Sequence, residues 1–177
     1  RIDQVLGHMH RVLNTGKRAG FVGVSDSHTI ERWVGHPRSH VLMDADTPQE
    51  VTPEAFADAV RGGRTVVTGG AYVEASVGGV GPGGEVATGG STVTVDIRVQ
   101  APSWVPVDRV VVVTPDGEVA VETDLEEGVV RFEGAITVAA PSGPGPGWLY
   151  VRADAAGDMA PVLDGPVFSA TSPIYLR

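Results

Sequence analysis

From position 64 onward the chain is a succession of short stretches rich in valine and threonine, closed off by clusters of glycine and proline. Nine such stretches can be read: 65–67, 72–77, 92–99, 109–113, 118–122, 129–132, 135–138, 148–153 and 167–171. Strands at intervals of about 8–12 residues with turn signals between them predict an antiparallel, Ig-like β-sandwich. Residues 92–99 alternate cleanly, so Val93, Val95, Ile97 and Val99 share the face expected to be buried. Pro115-Asp116-Gly117 predicts a tight turn, and the Gly/Pro run 141–147 a loop.

The first 63 residues have a different grain. Ile2, Val5, Leu6, Met9 and Leu13 recur at helical spacing, which predicts an amphipathic helix over 2–14 with Gly16 as its stop. Gly20-Phe21-Val22-Gly23-Val24 is a short apolar run suited to a strand covered on both faces. Helix, turn and buried strand together predict an α/β unit. Residues 29–50 read as irregular. A second helix is expected from Thr52, as N-cap with Pro53 at the first helical position, to Gly62-Gly63.

Charge narrows the chemistry. The net charge of −9 argues against a surface built to neutralise nucleic-acid phosphates. Residues 1–40 are about +3 and the remainder about −12, and all five histidines (His8, His10, His28, His36 and His40) lie in those first 40 residues. Without cysteine there is no disulfide, thiolate ligand or cysteine nucleophile. No apolar run approaches the roughly 18 residues of a membrane span, so neither nucleic acid nor membrane is an expected partner.

Asp26-Ser27-His28 directly follows the predicted strand. In parallel α/β folds the loops after strand ends are where ligands sit, and a carboxylate with an imidazole suits zinc, iron or manganese. The competing reading is a capped turn in which His28 simply bonds Asp26. Two ligands are too few for a site, so others must come from elsewhere. His8 and His10 point about 200° apart on a helix and cannot share an ion. Arg38, in Gly35-His36-Pro37-Arg38, suits an oxyanion of a substrate or an ion pair with Asp44 or Asp46. Asp44-Ala45-Asp46 lacks the rest of a calcium loop. Gly79-Val80-Gly81-Pro82-Gly83-Gly84 has the form of a dinucleotide fingerprint, but no helix follows it to hold a pyrophosphate. Trp104, Trp148 and Tyr150 suit either a sugar platform or, more commonly, a sandwich core.

Val22-Gly23-Val24-Ser25-Asp26-Ser27-His28, followed by Gly35-His36-Pro37-Arg38, resembles the end of the PHP (polymerase and histidinol phosphatase) metallohydrolases, specifically CehA/McbA-type members. The resemblance continues through Ala59-Val60-Arg61-Gly62-Gly63-Arg64-Thr65-Val66-Val67-Thr68-Gly69-Gly70, through Ala101-Pro102-Ser103-Trp104-Val105-Pro106-Val107-Asp108, and at Thr171-Ser172-Pro173-Ile174. It departs where Thr68-Gly69-Gly70-Ala71 replaces the usual Thr-Asn-Gly-Pro and where Ser172 replaces an Asn. It implies that residues 1–70 are the C-terminal portion of a distorted (β/α) barrel, with 71–177 an appended β-sandwich. It implies that Asp26 and His28 are the last metal ligands, with Arg38 as a substrate contact. The earlier His-x-His has no counterpart here.

The expected function is therefore that of a C-terminal fragment of a divalent-metal-dependent hydrolase, acting on phosphoesters of a small molecule and needing the remainder of the barrel as partner. The fragment alone is expected to be inactive. Two alternatives stay open: an amide or carbamate hydrolase on the same scaffold, and a non-catalytic β-sandwich binding module. Fold does not choose among them.

Overall fold

The computed structural model describes residues 2–30, 33–143 and 145–177. Two helices, α1 (Ile2–Leu13) and α2 (Pro53–Arg61), accompany eleven strands among the described residues. The strands are β1 (Arg38–Val41), β2 (Thr65–Gly69), β3 (Tyr72–Ser76), β4 (Glu85–Val86), β5 (Thr92–Gln100), β6 (Arg109–Thr114), β7 (Gly117–Glu122), β8 (Val130–Ala139), β9 (Gly147–Met159), β10 (Leu163–Thr171) and β11 (Ile174–Leu176). They form two sheets. The larger runs β1-β2-β10-β9-β11-β4, with β6 also pairing to β9 and β7 to β6; the smaller is β3-β5-β8. Every pair is antiparallel except β4 with β11.

Side-chain alternation explains the layering. On β5 the odd positions Val93, Val95, Ile97 and Val99 are buried while Thr92, Thr94 and Asp96 are exposed, so the small sheet has one wet face. Its dry face meets Val66, Val110, Val112, Leu149, Val151 and Ala153 of the large sheet. The large sheet is covered on its other face too. There Val67, Val111, Val113, Trp148, Tyr150 and Ala170 pack with Leu6 and Leu13 of α1 and with Phe21. This is why 110–113 reads as unbroken valine instead of alternating: β6 is dry on both sides there. Full burial of a Leu or Val side chain contributes roughly 1.5–3 kcal/mol, and Leu149, Val151, Val110 and Val112 all reach it.

The local predictions for both helices and the main hairpin match what is observed. Thr52 caps α2, its hydroxyl accepting from the Ala55 amide at 3.1 Å, with Pro53 at the first helical position. Residues 115–116 form the two-residue link of the β6–β7 hairpin, where Thr114 faces Gly117, and Gly117 takes φ 106°. Residues 129–132 and 135–138 prove to be one strand, β8, that runs through Gly134 with Phe132 lying over it.

The expected α/β barrel portion is not what these residues build. Strand makes up 43% and helix 14% of the described residues, whereas a barrel of this kind needs parallel strands alternating with helices. β1 and β2 pair antiparallel, with Arg38 opposite Thr68, and β2 continues into the sandwich by pairing with β10. Residues 20–24, expected to be a buried strand, form no strand and join no sheet. The segment predicted irregular, 29–50, contains β1 and a short 3-10 turn at Pro48–Glu50.

Candidate functional site

The segment leading to Asp26 is held by side-chain hydroxyls in place of a neighbouring strand. The Ala19 amide donates to Tyr175 Oη at 2.8 Å, and that hydroxyl donates back to the Ala19 carbonyl at 3.2 Å. Ser39 Oγ serves Gly23 in the same double way, accepting from its amide at 2.9 Å and donating to its carbonyl at 3.0 Å. Between them the Phe21 amide donates to Ser172 Oγ at 2.8 Å, and Thr65 Oγ1 donates to the Phe21 carbonyl at 2.8 Å. Such close approach needs glycine. A Cβ on Gly20 would lie 2.7 Å from Gly63 Cα, and one on Gly23 would lie 2.5 Å from Val67 Cγ1.

Beyond this rail the chain turns at Asp26, the one non-glycine residue with positive φ (48°) among the described residues, a conformation Asp tolerates better than most. The turn brings Asp26 Oδ1 to 2.9 Å from His28 Nε2. Both side chains are about four-fifths exposed, at 82% and 79%. Ser27 turns the other way, its hydroxyl donating to the Trp33 carbonyl at 3.1 Å. The 2.9 Å separation is that of a hydrogen bond, as in a capped turn, and also that of two adjacent ligands about 2.1 Å from an octahedral ion, which lie about 3 Å apart. Among the described residues no group of three or more His, Asp or Glu side chains is placed to hold a metal.

Arg38 lies elsewhere, on β1. Its expected partner Asp44 is engaged by Arg64 through two hydrogen bonds of 2.9 and 3.1 Å, and among the described residues Arg38 has no carboxylate partner. It lines a cleft of about 620 Å³ together with His36, His40, Tyr72, Trp33 and Trp104. Burial, and then the Arg38 guanidinium, hold both His36 and His40 below the usual imidazole value. Both are thus neutral at neutral pH. The rings of His40 and Tyr72 sit 5.1 Å apart.

The other candidates resolve structurally. His8 is exposed, whereas His10 packs between Trp148 and Tyr150, its Nε2 3.0 Å from the Tyr150 hydroxyl. Trp148 and Tyr150 are core residues, the indole donating to Asn14 Oδ1 at 2.9 Å. Trp104, in contrast, is substantially exposed, as is Trp33. The glycine-rich run forms a turn closed by a Val77–Val80 bridge and leads into β4. Trp33 and Tyr72 carry no motif; an exposed indole beside a Gly-His-Pro-Arg loop is the one sequence signal that points to the cleft. Comparison with protein-family models, with curated proteins and with solved structures gave no match.

Proposed function

We propose that this chain contributes Asp26 and His28 as two ligands of a divalent-metal site in a hydrolase, with the remaining ligands supplied from outside the described residues. The carrying observation is the 2.9 Å approach of Asp26 Oδ1 to His28 Nε2 on side chains that project into solvent. The described residues offer neither group another polar partner, so an ion meets both without displacing anything but their mutual bond. The resemblance of 22–28 and 35–38 to CehA/McbA-type metallohydrolases supports the same reading. Zinc, manganese or iron suits a mixed carboxylate and imidazole set. Such an ion supplies Lewis-acid polarisation and a nucleophile at neutral pH. The chain's own contribution is placement: the hydroxyl rail fixes the segment, the Asp26 turn converges the donors, and Arg38 offers a guanidinium for a substrate oxyanion.

The test is metal analysis and phosphoesterase assay of the protein expressed from its full coding sequence. Bound divalent metal and hydrolysis of p-nitrophenyl phosphate are expected, both lost in Asp26→Ala and in His28→Ala. Unchanged metal content in both variants sinks the reading. Hydrolysis confined to amide or carbamate esters would keep the metal pair and change the substrate. A binding module without catalysis is favoured by one observation, the exposed indoles of Trp33 and Trp104 beside the cleft.

A further inference from the structure

The cleft behind β1 has a composition unlike the rest of the surface. The chain carries 22 acidic residues and a net charge of −9, yet among the described residues no Asp or Glu lines this cavity. Among the described residues its one permanent charge is Arg38. Its walls are largely apolar or aromatic, with Trp33, Trp104, Tyr72, Val129 and Leu163 among them.

Each key group is held from behind. Trp104 rides on a tight turn in which the Val105 amide donates to the Pro102 carbonyl at 3.0 Å. That turn is braced by the Arg131 guanidinium, itself nearly buried, which donates to the carbonyls of Pro102 and Val105 at 3.0 and 3.2 Å. The backbone carbonyl of Trp33 accepts from Ser27 Oγ, and the backbone of Arg38 is set by its register against Thr68. Arg38 and His40 stand two apart on one strand, hence on the same face. With Asp44 already bound to Arg64, the guanidinium is left for a ligand.

We propose that this cleft binds a small aromatic anion, its ring against Trp33 and Trp104 and its charged group on Arg38. A planar guanidinium pairs bidentately with carboxylate or phosphate, and indole faces give stacking area for a ring. The neutral imidazoles of His36 and His40 offer hydrogen bonds without a second full charge. Selectivity follows from the pairing: an anion without a ring misses the indoles, and a ring without a charge leaves Arg38 unpaired. The proposal deepens the role given to Arg38 in the metal reading but uses neither Asp26 nor His28.

Isothermal titration calorimetry with phenyl phosphate tests it, run with EDTA present on the wild type and on Asp26→Ala. One-to-one binding, equal in the two proteins, is expected, which separates this cleft from the metal pair. Arg38→Gln is expected to weaken binding at least about tenfold, Arg38→Lys less, and Trp104→Ala about tenfold. Benzoate in place of phenyl phosphate distinguishes a carboxylate from a phosphoester ligand. Inorganic phosphate and phenol are each expected to bind far more weakly. Absence of binding by both aromatic anions at millimolar concentration overturns the proposal. So does phenyl phosphate affinity unchanged in both Arg38 variants, or inorganic phosphate binding as tightly as the aromatic ligand.

Discussion

Ser172 Oγ lies 2.7 Å from Thr65 Oγ1, and the proton between them belongs to Ser172. Thr65 has a single hydroxyl hydrogen, and it is directed to the Phe21 carbonyl. Ser172 therefore donates to Thr65 while accepting from the Phe21 amide. The result is a closed circuit of three hydrogen bonds that satisfies both backbone groups of Phe21 with two side chains, each fully buried. An unpaired backbone group in this position would cost as much as a lost hydrogen bond.

Removing either hydroxyl orphans a buried partner. Ser172→Ala leaves the Phe21 amide unmatched, and Thr65→Val leaves its carbonyl so. Each is expected to destabilise by about 1–3 kcal/mol, read from the urea midpoint. Because both act on one circuit, the double variant is expected to lose less than the sum. Strictly additive losses would show that the two hydroxyls act independently.

Amide exchange along the same segment should alternate. The amides of Ala19, Phe21 and Gly23 are bonded to hydroxyls, while no partner for those of Gly20, Val22 and Val24 exists among the described residues. Nuclear magnetic resonance exchange rates should show slow residues at the odd positions and fast ones between them. Uniform protection across 19–24 would mean the segment pairs as an ordinary strand.

The two close glycines differ in what they press on. Gly20 would drive a methyl into Gly63 backbone, whereas Gly23 would meet a Val67 methyl, which has some freedom to move. Gly20→Ala is therefore expected to cost more than Gly23→Ala, with overpacking of this kind typically about 1–3 kcal/mol. Thermal unfolding of the two variants decides the order.

Acid should loosen the packing of α1. Burial, then Arg152, lowers the His10 pKa from its ordinary 6.5. A base whose folded value lies below its unfolded one binds fewer protons when folded, so its stabilising contribution is full above pH 6.5. It is lost as pH falls through the lower folded value. His10→Gln, which keeps a polar group near Tyr150, is expected to show a shallower fall in urea midpoint between about pH 7 and pH 5 than the wild type. Identical slopes would remove His10 as a contributor.

How much of this was legible in the sequence depended on what each pattern encodes. Alternation on β5 showed both the strand and its dry face, because one face is wet. The valine run of β6 was legible as a strand, but not the fact that α1 and Phe21 cover its second face. At 20–24 the apolar run predicted a strand covered on both faces, and no strand forms there. Only Phe21 is buried there; Val22 and Val24 are 58% and 69% exposed. The pairing groups come from Ser39, Thr65, Ser172 and Tyr175, and no local pattern marks a hydroxyl as a strand substitute. The convergence of Asp26 and His28 follows from their spacing. The cleft does not, since Trp33 and Trp104 line one cavity only through tertiary packing.

The hydroxyl rail also sets an order of events. Its partners at Ser172 and Tyr175 lie 151 and 156 residues further along the chain than the amides they receive. Contacts of such sequence separation form late, and on a ribosome they must wait for the downstream residues to emerge. Asp26 and His28 are therefore synthesised well before two of the side chains that fasten the segment leading to them. A nascent chain would carry Asp26 and His28 on a strap held by Ser39 and Thr65 alone until the far strand arrived to fasten its other end.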